Sequence, residues 1–96
     1  MSAMVLPPLP ARLTHADAVG YLGHCEAALR VQPVPPNAVL PLDAAALTDF
    51  DSSALAVLLG VRRCVLQAGA QLQLTGVPPQ LRDLATLYGV SELLPA

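Results

Sequence analysis

Lysine is absent from this 96-residue chain, and tryptophan with it. Without lysine there is no Walker-type phosphate loop and no Schiff-base chemistry. The five basic residues are all arginines, scattered except for Arg62-Arg63, and the net charge is −2. Nucleic-acid binding is disfavoured, because it needs a clustered basic footprint to displace counterions from phosphates. Aromatic residues make up only 3% while hydrophobic residues reach 54%, so the core must be aliphatic. Charged residues are 12%, against about 25% in an ordinary soluble domain, and part of the surface is therefore expected to meet a partner. Cysteine is sparse too. Cys25 and Cys64 fall in segments that read as helices, with no short-spaced pair, and are expected to be buried free thiols in a reducing cytoplasm. The N-terminal residues lack a basic stretch and are interrupted by Pro7-Pro8, so no signal peptide is expected. No run approaches the ~18 apolar residues that suggest a membrane span. One domain over residues 1–96, without direct membrane insertion, is the expectation.

What is present alternates between strand and helix signals. Two short extended pieces, Ala3–Leu6 and Leu9–Leu13, flank Pro7-Pro8. Thr14, with Asp17 three positions later, has nearly the capping-box arrangement and predicts a helix over 15–31. Ala18, Leu22, Cys25 and Leu29 form its apolar stripe. After a proline-rich turn at 31–37, Ala38–Leu42 reads as a strand ending at Asp43, although Pro41 forfeits a ladder donor. A second helix is predicted from about Ser52, with Val57, Val61, Cys64, Val65 and Ala68 on one face and Gly69 as its stop. Gln71–Thr75 alternates polar and apolar, as a strand with one covered face does. A third helix follows Pro79, with Leu81, Leu84, Ala85 and Tyr88 at helical spacing; Leu87 and Tyr88 are expected in the core. Ser91–Leu94 adds a final turn. The fold class is α/β: a small mixed sheet of about four strands packed with three to four helices.

The chemistry concentrates at Asp49-Phe50-Asp51-Ser52-Ser53-Ala54, an acidic, hydroxyl-rich turn that feeds the longest apolar run. An aspartate or serine there caps a helix by accepting an orphan N–H, with no function required. A catalytic serine fits poorly: Ser52 is not in a Gly-x-Ser-x-Gly elbow, and the two histidines, His15 and His24, belong to another helix. A metal site from His24, Cys25 and Cys64 matches no familiar zinc spacing.

The stretch Asp51-Ser52-Ser53, preceded by Val39-Leu40-Pro41-Leu42-Asp43 and followed by a hydrophobic helix, resembles the signature of STAS domains. Leu81 to Val90, with its Leu-Ala-x-Leu-Tyr segment, most resembles the MlaB branch of that family. Two positions depart from the pattern: Ala54 stands where glycine is usual, and Pro41 interrupts the strand. The resemblance implies a STAS-like mixed sheet backed by helices, with no catalysis and no cofactor. In the MlaB branch it implies a subunit that binds the cytoplasmic ATPase of a phospholipid-transport ABC complex serving outer-membrane lipid asymmetry. That would place the protein in the cytoplasm, held to the inner membrane through its complex. The alternative branch, the anti-sigma factor antagonists, implies phosphorylation of Ser52 by a serine kinase. On either branch the partner-binding residues map to Asp49, Asp51, Ser52, Ser53 and Ala54, with Asp51 also the helix cap.

Overall fold

The computed structural model describes residues 6–31 and 34–94. Their order is β1 (Arg12–Leu13), α1 (His15–Val31), β2 (Val39–Asp43), β3 (Asp49–Phe50), α2 (Ser53–Gln67), β4 (Gln71–Thr75), α3 (Pro79–Leu87) and a 3-10 turn (Ser91–Leu93). This is the expected α/β class, with three α-helices and four strands among the described residues, but one strand was not anticipated: Asp49–Phe50, read from the sequence as part of the acidic turn, pairs with Arg12–Leu13 as β3. The described strands pair in two parallel ladders, β1 with β3 and β2 with β4. The backbone of Leu9 ties the two together by donating to the Asp43 carbonyl at 2.9 Å.

The first strand is shorter than Leu9–Leu13. Pro10 supplies no N–H, and regular pairing begins only at Arg12. Of the predicted Ala3–Leu6 strand, only Leu6 falls within the described residues, and it is buried without strand pairing. Of the proline-rich turn, Val31 closes α1 and residues 34–37 are described.

Pro41 does not shorten β2, and the reason is directional. The Ala38 carbonyl accepts from Gln71 N–H and the Ala44 N–H donates to Thr75, so the backbone of both residues faces β4. With a period of two, Leu40 and Leu42 also serve that side. Pro41 faces the other way, with Asp43, where the ladder asks for no donor. The same alternation buries Leu40, Leu42, Leu72 and Leu74 on one face and leaves Val39, Pro41, Gln71 and Gln73 exposed on the other.

The helices close the core over the apolar face. In α2, Ala54, Leu58, Val61 and Val65 are completely buried, and Leu55 and Val57 nearly so. Each fully buried Val or Leu side chain contributes about 1.5–3 kcal/mol of transfer free energy. The stripe of α1 is narrower than its spacing suggests: Tyr21 and Cys25 are buried, while Ala18, Leu22 and Leu29 are half-buried against the core. The Tyr21 hydroxyl donates to the Pro7 carbonyl at 2.6 Å, which pins the chain entering β1 onto α1. Desolvation pushes the Tyr21 phenol well above its ordinary pKa.

The cysteines differ. Cys25 is fully buried, whereas Cys64 is only half-buried, with its Sγ 3.9 Å from a Glu26 oxygen. Position 64 lies at the edge of the α2 stripe, where α1 leaves a gap that Glu26 borders. Desolvation raises the pKa of both thiols.

Candidate functional site

Asp51 is the structural centre of the acidic turn because its carboxylate serves two helices. Oδ1 accepts from Ser53 N–H at 2.8 Å and so caps α2. Oδ2 accepts from His15 N–H at 3.2 Å, the first residue of α1. Four N–H groups at each helix start lack intrahelical partners, and one side chain here satisfies a donor from each of two starts. The Ser53 bond first, and the His15 bond after it, hold the Asp51 carboxyl below its ordinary pKa. Alongside, Asp17 accepts from both the backbone N–H and the hydroxyl of Thr14, at 3.1 and 2.9 Å, and pairs with Arg12 at 3.2 Å. Those Thr14 bonds lead the causes that lower its pKa as well.

Ser52 has helical dihedrals, φ −62 and ψ −17, and its side chain makes no capping hydrogen bond. With the cap supplied by Asp51, the Ser52 hydroxyl is left exposed at the mouth of α2. Asp49 is exposed on β3 and Ser53 is half-buried. Ala54 corrects an expectation. It is 0% exposed, with its methyl packed in the core, so it offers nothing to a partner. Residue 54 falls on the inward side of the first turn of α2, four positions before Leu58.

A shallow hollow of about 450 Å³ opens beside Ser52. Thr48 and Phe50 line one side, and Gln80 and Leu84 of α3, with Tyr88 just past its end, line the other. Thus the N-terminal ends of α1 and α2 meet at Asp51, and α3 begins at the rim of the same hollow. Tyr88 and Leu87, expected in the core, are 58% and 79% exposed. The core contact of α3 is made by Leu81 and Ala85. One step round the helix, Gln80, Leu84 and Tyr88 recur at intervals of four and face the hollow instead. By residue 88 the helix has ended, so Tyr88 projects past the core rather than into it. The 80/84/88 repeat was the available signal, but Leu84 belongs to both stripes and hid the second.

His24 is exposed while its neighbour Cys25 is fully buried, so the two side chains do not converge on a common ligand. His15 is exposed at the start of α1, joined to the turn through its backbone N–H.

The Asp51-Ser52-Ser53 turn thus stands between a strand and a hydrophobic helix of an α/β domain, the setting in which its sequence resembles STAS domains. The family model described as "Mlab, STAS domain" matches residues 12–95. The chain belongs to this MlaB-type STAS family. A search of curated proteins found no match.

Proposed function

We propose that this protein is a non-catalytic binding subunit that docks on the cytoplasmic ATPase of a phospholipid-transport ABC complex, through the Ser52 turn and the adjoining face of α3. The observation that carries the reading is the placement of Ser52. Its hydroxyl is exposed and unused by the cap, and it borders a hollow whose far wall ends in an exposed tyrosine. Tyrosine is among the residues that dominate binding energy at interfaces, and Leu87 beside it adds aliphatic area. Membership of the MlaB-type family supports the choice of partner. No helix among the described residues is long and apolar enough to cross a membrane, which fits attachment through a partner.

A phosphate on Ser52 would place about two negative charges at a helix N-terminus, which favours anions, but beside Asp49 and Asp51, which oppose them. The fold tolerates such a group better than a docked acidic or apolar surface would. The free hydroxyl therefore supports a second reading, an anti-sigma factor antagonist switched by a serine kinase.

The test is co-purification of the full chain from its native cell in mild detergent. The wild-type protein should bring down an ATPase with membrane subunits. Ser52→Glu and Tyr88→Ala should each weaken that complex about tenfold or more, the scale of an interface hot spot, while leaving the melting temperature nearly unchanged. Equal recovery by wild type and Ser52→Glu would overturn the docking site. Recovery of a serine kinase, with phosphate on Ser52 by intact mass, would establish the second reading instead.

A further inference from the structure

We propose that the outer side of the second half of α2 is a separate docking surface, shaped for an acidic amphipathic helix of a protein partner. Leu59 and Leu66 lie two turns apart on one side of α2, with Arg62 and Arg63 between them. Together with Leu93 of the 3-10 turn they border a hollow of about 440 Å³. Leu66 is 45% exposed and Leu93 40%, so two large apolar side chains stand open beside the two arginines. Leu66 and Arg62 also border a second hollow of about 220 Å³, next to Gln71 and Leu72, with Glu92 on its rim. Among the described residues neither Arg62 nor Arg63 makes an ion pair, whereas Arg12 is matched by Asp17.

Charge and shape choose the occupant. Two unmatched guanidiniums beside an aliphatic ridge suit a surface that carries carboxylates and branched side chains together, since guanidinium binds carboxylate through paired hydrogen bonds. The ridge runs along the axis of a 15-residue helix, so a second helix laid beside it sets its aliphatic side chains into the hollows on either side of Leu66. Anionic membrane surfaces are read by clusters of about 4–8 basic residues, more than stand here. A two-fold pairing of this surface with a second copy of the chain is disfavoured, because it would set Arg62 and Arg63 against the same two residues of that copy. A head-to-tail contact would also leave the same two surfaces open at each end and propagate. Leu66 lies roughly 20 Å along α2 from Ser52 at 1.5 Å per residue, so this surface does not depend on the Ser52 reading.

The experiment is photo-cross-linking of the full chain in its native cell, with a photoreactive phenylalanine analogue replacing Leu66 and, in a second variant, its exposed neighbour Gln67. The linked peptides are then sequenced. Both variants should link one partner segment that carries acidic and aliphatic residues at helical spacing. Arg62→Glu with Arg63→Glu should cut that link about tenfold, as reversal of close charge pairs does, and leave Ser52-dependent co-purification unchanged. A basic segment, a lipid adduct, a peptide of this same chain, or a yield no higher than from an analogue at Gln73 on the open sheet face would each overturn the proposal.

Discussion

Gly76 is the glycine with least room for a side chain, and the strain there can be separated from the crowding. Its φ is +65, and a Cβ placed on it would lie 2.9 Å from the Ala45 Cβ and 3.2 Å from both the Ala45 Cα and N. The left-handed conformation costs an L-residue about 1–2 kcal/mol. Forcing an extra carbon into packed backbone adds about 1–3 kcal/mol. Gly76→Ala should therefore lose about 2–5 kcal/mol, a large share of the roughly 5–15 kcal/mol that holds such domains together. For a chain of this length that corresponds to a fall of about 10–30 °C in melting temperature. Two other glycines calibrate the result. Gly69 has φ +84 but open space around the Cβ position, so Gly69→Ala should show the strain alone, about 1–2 kcal/mol. Gly23 sits inside α1 with nothing within 4 Å and no positive φ, so Gly23→Ala should gain about 0.5–1 kcal/mol. Urea unfolding at constant m-value should rank the midpoints Gly23→Ala, wild type, Gly69→Ala, Gly76→Ala from highest to lowest. Equal losses at Gly69 and Gly76 would refute the close approach to Ala45. The same turn launches α3, so Gly76→Ala should also loosen the wall of the Ser52 hollow.

Other consequences follow from burial and from the capping network. Leu58 is completely buried and borders a cleft of about 420 Å³ between α2 and α3. Because little material can collapse into its place, Leu58→Ala should cost about 3–5 kcal/mol by urea unfolding, and a loss near that of a surface change would contradict the packing. Asp51 and Asp17 hold their protons less tightly folded than unfolded, so the unfolded chain binds more protons in acid. Their contribution is complete above the ordinary carboxylate value of 3.8 and is lost as pH falls through the lower folded values. Asp51→Asn and Asp17→Asn should each flatten the acid limb of a stability-versus-pH curve, and an unchanged acid limb in both would count against the hydrogen bonds described.

Much of the architecture is legible in local pattern. The helix starting beyond Thr14 needed only a threonine and an aspartate three residues on, because caps act over one turn. The strand Gln71–Thr75 needed only its alternation, because a half-covered sheet repeats every two residues. Pro41 was different. Whether a proline breaks a ladder depends on which way its nitrogen faces, and Gln71, Thr75 and Leu9 decide that from other segments.

The site divides in the same way. Asp51 as a cap can be read from its position before a helix, but its second bond, to His15, joins residues 36 apart in sequence. The side of α2 that takes Ala54 inward is set by what packs on it, and this is why a residue next to the exposed turn lies fully inside. Tyr88 is the clearest case. Its spacing from Leu81 and Leu84 places it on an apolar face, and only the end of α3 and the limit of the core turn that face toward Ser52.

By itself, the sequence determined the three helices and the strands Val39–Asp43 and Gln71–Thr75, where α1 is capped, and the family to which the turn at Ser52 belongs; the short strand Asp49–Phe50 was not among them. Those properties rest on interactions within a few residues of chain. The tertiary structure decided that one aspartate anchors two helices, that the Ser52 hydroxyl stays free, and that Tyr88 rather than Ala54 stands beside it. Exposure is a property of what the rest of the chain covers, and no local pattern contains it.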